Sequence, residues 1–497
     1  MGVVVNSAFS TAGNGGRKLV RLSNGWLVAT VIDYVTSGYP TRLYISKDNG
    51  ETWSTFGVGK NTNSTSSDVA LVTDGENVYH LIAYYNSEIR FDKYDSNGVK
   101  TINNIAIDTS QTVLGNVSMA VDPTNGYLHA TWSSKNSTYP NCFNIRYSNS
   151  VDGGATWSVV EQVTQINTSG RNYTNPSIVV RNNQPTIIIQ GQISTNYYMY
   201  ANTKTGSGWF TDSLGVGKSI HSVGTYPQSN PSAVVDIDGV IHVAWNGSDS
   251  TNTAQNIRYS KSTDGGTTWS SQVRLTDSTG SYHSKLPSIT VDKVGKIVIV
   301  YELSYDDSID VYQLGYTYFE NNTWNNRNIY DDFLYSPSTL YDPTFSGKFD
   351  TIPPFVYEDR FASGANTGYM GAYIVNTMPI LTLKDSQNQI IANNQIIKIS
   401  EKQQFDLNIV ANDVDTSDTL QYSVYLRGNI YKSWTAISKN QNIQFSILFT
   451  DLLIGNNMLE VRVKDDSEIV STTFIIRNLT PESYSQQHVF ELIMEVI

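Results

Sequence analysis

The sequence predicts an all-β chain: a propeller of four-stranded blades, seven by the preferred count, followed by a smaller β-sandwich. Three observations predict it. An eight-residue turn pattern, S-x-D-x-G-x-T-W, occurs three times. Apolar strands opened by a Pro-Ser pair recur at a steady spacing. The composition is that of pleated sheet and tight turns.

The composition argument is direct. Of 497 residues, 32 are Tyr and 35 are Gly, and only 16% are charged. Tyr, Thr and Val suit half-buried pleated surfaces, whereas Gly and Asn suit chain reversals. A long helical repeat would need far more Ala, Leu, Glu and Lys. The length calls for two or three domains. A net charge of −12 argues against nucleic-acid partners, which require a surface that neutralises phosphates. Cys142 is the one cysteine, so an internal disulfide framework is excluded. The opening MGVVVNSAFS has neither the basic n-region nor the apolar run of a signal peptide. No stretch has the length of a membrane-spanning helix, so no membrane insertion is expected.

The turn pattern comprises Ser46, Asp48, Gly50, Thr52 and Trp53, then Ser150, Asp152, Gly154, Thr156 and Trp157, then Ser262, Asp264, Gly266, Thr268 and Trp269. Asp and Ser can hydrogen-bond the exposed amides of a turn. Gly allows a positive φ where the chain reverses, and Trp buries a large ring between strands. The three Asp residues are therefore expected to be structural, neither catalytic nor metal-binding. Successive Trp residues are separated by roughly two blades' worth of sequence, at 40–50 residues per blade. Degenerate turns fill the gaps, at residues 94–98, at 205–209 and at Thr323 with Trp324.

The Pro-Ser strands contain Pro176-Ser177, Pro231-Ser232, Pro287-Ser288 and Pro337-Ser338. Proline at a strand start removes no ladder hydrogen bond. First strands are expected near Arg17, Ser67, Gly115, Asn175, Asn230, Leu286 and Pro337, which gives seven units. The seventh has candidates for only three strands, and the N-terminal Val3-Val4-Val5 is available to complete it. Six blades remain the alternative if the last unit is an irregular cover. The pattern breaks near Asn376, so residues 1–376 are assigned to the propeller, 377–480 to the sandwich and 481–497 to a C-terminal tail that forms a short amphipathic helix or packs on a partner.

The eight-residue turn resembles the Asp-box of the sialidase-like (BNR) repeat families. That resemblance implies a carbohydrate-active propeller and directs attention to the ends of the second strands. Aromatic residues recur there: Tyr34, Tyr85, Trp132, Trp245, Tyr301 and Tyr357. A ring of aromatic faces could stack on sugars; the competing reading is packing between blades. The family's chemistry, as the resemblance implies it, uses three arginines on a substrate carboxylate, a Tyr nucleophile with a Glu partner and an Asp acid/base. Arg17 and Asp33 fall where the first arginine and the acid/base belong. Arg360 is a second carboxylate binder, and Tyr357 with Glu358 or Glu302 supplies the nucleophile pair. A third arginine is missing, since Arg146 and Arg258 share one repeat position and read as scaffold. The arginine that usually follows the Asp is replaced by Tyr34-Val35.

The six histidines form no Ser-His-Asp or Cys-His constellation, and no Gly-rich phosphate loop opens a helix. No cofactor or metal is expected; Asp413, Asp415 and Asp418 read as a solvated loop, with calcium as the alternative. The stretches Ala411-Asn412-Asp413-Val414-Asp415 and Val463-Lys464-Asp465-Asp466 resemble those of Ig-like modules in tail and surface proteins from Gram-positive bacteria and their phages. Together these features lead to the expectation of a glycan-binding protein. It would be a phage or phage-tail-like receptor-binding protein or a surface adhesin, possessing a cell-surface glycan partner, other tail or surface-assembly proteins as further partners, and multivalent, homo-oligomeric display. It would reside in a virion or tail particle or be released by lysis, or else occupy the bacterial cytoplasm or reach the surface by a non-classical route. An exo-acting sialidase-type glycosidase and a purely structural assembly component are the rivals.

Overall fold

The computed structural model describes the chain apart from residues 1, 7–8, 11–14, 34–39, 49, 51, 59–65, 85–87, 211–214, 222–224, 293, 306–311, 321, 330–333, 342–352, 361–367, 374–379, 388, 392–394, 401–403, 413–419, 439, 449–450, 453–454, 465–468 and 480–497. The acidic run at Asp413 to Asp418 and the tail from residue 481 lie outside the described residues. The chain divides into two compact units, Met1–Val375 and Asn376–Ile497.

The first unit is a propeller of seven antiparallel sheets. Its blades, numbered in chain order, are built on the second strands Leu27–Asp33, Asn77–Tyr84, Leu128–Asn136, Gln184–Ile193, Ile241–Asp249, Ile297–Tyr305 and Phe355–Arg360. Blade 7 has three strands of its own, and Gly2–Asn6 adds the fourth, pairing with Gly368–Tyr373 in the register Val3↔Gly371. The ring is therefore closed by the N-terminal strand. Closure hides two sheet edges that would otherwise recruit other chains, and the six-blade alternative falls.

The Pro-Ser pairs lie inside long first strands, not at strand starts. Arg171–Arg181, Gln228–Val235, Tyr282–Val291 and Leu334–Thr339 each break register just before the serine, at Thr174/Ser177, Ser229/Ser232, Lys285/Ser288 and Tyr335/Ser338. A bulge leaves a residue unpaired, so a proline there removes nothing from the ladder. The preceding residue turns left-handed in three blades, with φ of 49° at Asn175, 55° at Asn230 and 48° at Leu286.

Each bulge presents its serine to the next blade. Ser118 Oγ accepts the Ile178 amide (3.2 Å), Ser177 the Ala233 amide (3.0 Å), Ser232 the Ile289 amide (3.2 Å) and Ser288 the Thr339 amide (3.0 Å). Ser338 accepts the amide of Lys18 (3.0 Å). Blade 2 uses Asp68 instead: one carboxylate oxygen accepts the Val117 amide at 3.0 Å, and the other meets Lys18 Nζ at 3.4 Å. The circuit is thus continuous through all seven blades. Buried amides need partners, and here the partners tie neighbouring blades together.

Blade 1 departs from this plan. Its first strand is split into Phe9–Ser10 and Leu19–Arg21, which pair with opposite ends of Leu27–Asp33. The described end of the intervening segment reaches across the axis: Ser118 Oγ donates to Gly15 O at 2.5 Å. A Cβ on Gly15 would lie 2.1 Å from Pro176 O, and one on Gly16 would lie 2.8 Å from Val117 O, so glycine is required at both. A small cavity of about 30 Å³ remains beside this crossing, lined in part by Arg17, Ser118, Ser177 and Tyr341.

The three S-x-D-x-G-x-T-W turns share one geometry. The Ser hydroxyl accepts the Gly amide (2.6, 2.8 and 2.8 Å) and donates to the Asp carboxylate (2.7, 2.7 and 2.8 Å). The Asp also accepts the Thr amide (2.9, 2.9 and 2.8 Å) and the Thr hydroxyl. Gly50, Gly154 and Gly266 have φ of 88°, 94° and 89°. The hydrogen bonds from Thr156 and Thr268, with those from the serines, lower the Asp152 and Asp264 carboxyls to about 2. These aspartates are hairpin locks. Trp157 then packs edge-on against Phe91 of blade 2, with centroids 5.2 Å apart. The degenerate turns keep that wedge: Trp209 meets Tyr147 at 5.0 Å and Trp324 meets Tyr259 at 4.8 Å.

The second unit is a two-sheet sandwich. Ile380–Asp385, Gln404–Asn412 and Asn442–Leu448 form one sheet, and the other has five strands, ordered Ile396–Ser400, Ile469–Leu479, Gly455–Lys464, Leu420–Leu426 and Asn429–Ile437. Its core, with Leu407, Val424, Val461 and Phe474 at the centre, draws on both sheets. Inward residues alternate with outward ones, as sheet packing requires.

Candidate functional site

Each blade is a meander. Its first-to-second and third-to-fourth turns therefore lie at one end, and its second-to-third connections lie at the other. The S-x-D-x-G-x-T-W turns occupy the first end. The second end, where the bulges also lie, is the face on which the sequence places its candidate residues.

The aromatic ring expected on that face is a packing feature. Trp132 and Trp245 are wholly buried, and Tyr301 and Tyr357 nearly so. All four occupy one second-strand position, opposite Arg146, Arg258, Gly315 and Gly371 on the third strands. Each belongs to a buried hydrophobic cluster that includes a residue of the preceding blade: Trp132 with Phe91, Trp245 with Met199, Tyr301 with Tyr259 and Tyr357 with Leu314. The correction has a simple cause. The second strands run on past the aromatic residues, to Asn136 and Asp249 in blades 3 and 5, so the rings sit mid-strand and offer no face to a sugar. Tyr34 and Tyr85 lie outside the described residues.

The members of the proposed catalytic set with described side chains, Arg17, Asp33, Glu302 and Tyr357, are all buried. Arg17 is enclosed by blades 5, 6 and 7: it donates to Ala233 O, Ser288 Oγ and Thr339 Oγ1, each at 3.0 Å, and lies over the Tyr341 ring. Burial lowers its pKa to about 10, which leaves it cationic at neutral pH and facing protein. Asp33 is buried, and Arg42 of the adjacent strand holds its carboxylate at 2.7 Å. The cation absent from the residues after Asp33 is thus supplied across the sheet. Glu302 is buried as well. Tyr357, the candidate nucleophile, is buried, and in its blade 6 equivalent, Tyr301, burial pushes the phenol well above its ordinary range, opposite to what a nucleophile needs. Val300-Tyr301-Glu302 and Val356-Tyr357-Glu358 occupy equivalent registers in blades 6 and 7, which marks the Tyr-Glu pair as part of the repeat. Glu358 and Arg360 are placed by backbone alone, in Phe355–Arg360.

The arginines of this region carry acidic partners: Arg146 with Asp108 of blade 2 (3.0 Å), and Arg258 with Asp249 of its own blade (2.6 Å), as Arg42 has Asp33 in blade 1. Among the described histidines, His80, His129, His221 and His242 are core residues. His129 and His242 bond the hydroxyls of Tyr147 and Tyr259 at 2.7 Å, and His80 bonds Thr30 at 3.0 Å. Among the described residues, no group of three or more His, Cys, Asp or Glu is arranged to hold a metal ion, and no helix is long and apolar enough to cross a membrane.

Sequence reasoning singled out Glu302 but not its equivalents in blades 4 and 5, the polar residues directly after the packing position. Gln190, Asn246 and Glu302 share a register, opposite Thr174, Ser229 and Lys285 at the bulges. Gln190 Oε1 accepts the backbone amide of Asn230 (3.0 Å) and Asn175 Nδ2 (2.8 Å). Asn246 Oδ1 accepts the Leu286 amide (3.2 Å) and Asn230 Nδ2 (3.0 Å), and its NH2 donates to Ser229 Oγ (2.9 Å) and to Gln255. The result is a chain of five carboxamides across blades 4 and 5. Asn246 is buried and the other four are half-buried. The signal was present as the repeated step from a buried residue to a polar one, in Ile189-Gln190, Trp245-Asn246 and Tyr301-Glu302.

No family model and no curated protein matches the chain. Solved structures similar to it include an α-L-arabinanase from Penicillium chrysogenum, 13% identical over 75% of this chain and 99% of that one, with a TM-score of 0.39. An α-L-arabinofuranosidase from Fusarium graminearum is 14% identical over 75% and 98%, with a TM-score of 0.40. A Trypanosoma rangeli sialidase is 12% identical over 94% and 84%, with a TM-score of 0.41.

Proposed function

We propose that the propeller recognises carbohydrate without cleaving it, as the glycan-binding part of a phage or phage-tail-like receptor-binding protein or a bacterial surface adhesin. The C-terminal sandwich, read as Ig-like, is its spacer or attachment module. The observation that carries the non-enzymatic part is the enclosure of Arg17: its guanidinium is taken up by Ala233, Ser288 and Thr339, where a sialidase-type site needs it open to a substrate carboxylate. The half-buried carboxamides on the same face support recognition, because oriented polar groups at the rim of a rigid scaffold are what hydroxyl-rich ligands require.

The test is a fluorogenic sialoside assay beside a glycan array, both with the full chain and with Asp33→Ala as the control. Array binding without turnover is the expected result. Robust turnover that Asp33→Ala abolishes would establish the glycosidase reading. Silence in both assays, from a multivalent display, would favour a purely structural component.

A further inference from the structure

We infer that the carboxamides between blades 4 and 5 form a recognition site for a neutral saccharide, one that selects hydroxyl groups over carboxylates; the inference rests on the carbohydrate reading above. The argument starts from orientation. Which end of an amide is oxygen is fixed by its partners, and a backbone N–H can only donate. The amides of Asn230 and Leu286 therefore fix the oxygens of Gln190 and Asn246. The Asn246 NH2 must then donate, which fixes the Gln255 oxygen as its acceptor. Among the described residues, two NH2 groups, on Gln190 and Gln255, are left with no acceptor, and Asn175 Oδ1 is left with no donor. All three residues are half-buried.

Sugar hydroxyls both donate and accept, so a row of donors with an acceptor beside it complements adjacent hydroxyls on a ring. The row is also held rigid. It is anchored at bulges whose left-handed residues, Asn175 and Asn230, are asparagines, the side chain that tolerates this conformation at least strain. Pre-ordered donors lose little freedom on binding.

Charge argues for the neutral class. Arg42, Arg90, Arg146 and Arg258, on four of the third strands, are each ion-paired to Asp33, Glu88, Asp108 and Asp249 at 2.6–3.0 Å. The chain as a whole carries −12. An acidic sugar would meet committed guanidiniums and a repulsive field, whereas a neutral one needs only the amides.

Gln190→Glu and Gln255→Glu provide the test. Each keeps the oxygen that accepts the scaffold hydrogen bond and removes the NH2. Binding of the full chain, displayed multivalently, is measured by surface plasmon resonance. The panel holds neutral oligosaccharides ending in glucose, galactose, mannose, rhamnose or N-acetylglucosamine, and acidic ones ending in sialic or uronic acid. The expected result is binding within the neutral set and at least tenfold weaker binding by either variant, with the thermal midpoint held. Neutral binding that both variants retain overturns the site. Preference for the acidic set overturns the ligand class. Both of those results leave carbohydrate recognition standing, whereas failure of the unmodified chain to bind any member removes that reading together with this one.

Discussion

The hydroxyl of Ser338 accepts the backbone amide of Lys18 at 3.0 Å, across 320 residues of chain. It is the bond at which the serine circuit of the inner strands closes between the last blade and the first. Removing it takes the hydroxyl acceptor from a buried N–H, a loss of about 1–3 kcal/mol. Ser338→Ala is therefore expected to lower the denaturation midpoint measurably, as are Ser177→Ala and Ser232→Ala. Ser207→Ala, in an exposed turn, should stay within about 0.5 kcal/mol of the parent. Equal midpoints for Ser338→Ala and Ser207→Ala in urea titrations would refute the circuit's role.

Trp132 and Trp245 occupy the same position but differ in one bond. Trp245 Nε1 donates to Gln228 Oε1 at 2.8 Å, whereas Trp132 Nε1 is buried with no partner among the described residues. Trp→Phe should therefore be the more destabilising at 245, by about 1 kcal/mol, since it strands a buried carbonyl. Trp→Ala at either position should cost about 3–5 kcal/mol. Glycan binding by correctly folded Trp245→Phe should match that of the parent, because the ring meets no solvent. A selective loss of binding at an unchanged midpoint would restore the stacking role.

Acid sensitivity should begin with the histidines. Burial lowers His80 to about 3 and His129 to about 4. Both folded values lie below the ordinary imidazole value, so the unfolded chain binds more protons in that interval and stability rises with pH. Their contribution is complete above about pH 6.5 and is lost as pH falls toward 4. The lowered Asp152 and Asp264 carboxyls lose theirs only below the ordinary carboxylate range, as pH approaches 2. His80→Leu should flatten the upper part of the profile; Thr30 keeps an acceptor in Arg42 O at 3.3 Å. An unchanged slope between pH 6.5 and 4 in melts of this variant would count against the assignment.

The turn aspartates should behave as locks. Asp152→Ala removes the acceptor for the Thr156 amide, the Thr156 hydroxyl and the Ser150 hydroxyl. Because the turn is exposed and water can replace the protein donors, a loss of about 1 kcal/mol is expected. Glycan binding should not change, because the turns lie at the opposite end of the blades from the second-to-third connections. Loss of binding without loss of stability would place function on the turn face.

The blade count was legible because the turn and the Pro-Ser pair both repeat, and a repeat reports a unit regardless of its exact strand limits. Those limits were the weak point. Pro176, Pro231 and Pro287 look like strand starts in sequence, yet a bulge admits proline mid-strand. The same error in strand length displaced the expected site, making Trp132 and Trp245 strand ends when their strands continue to Asn136 and Asp249. Side-chain direction alternates along a strand, so a one-residue shift moves attention from the blade interior to its rim, from Trp245 to Asn246. The crossing of the axis by Gly15 and Gly16 could not be read at all. Their neighbours, Val117 and Pro176, are remote in sequence, and glycine pairs are common in ordinary turns.

The N-terminal strand that completes blade 7 also fixes an order of events during synthesis. Gly2–Asn6 leaves the ribosome well before its partner, Gly368–Tyr373, which belongs to the last blade of the propeller. At about 5–20 residues per second, the first strand waits tens of seconds for its neighbour. Blades 2 to 6 can assemble from contiguous chain in that interval, while an apolar Val3-Val4-Val5 segment stays without its final pairing. A nascent propeller is for that period an open ring with a sticky end, and the stage most in need of chaperone protection is the one just before the last blade emerges.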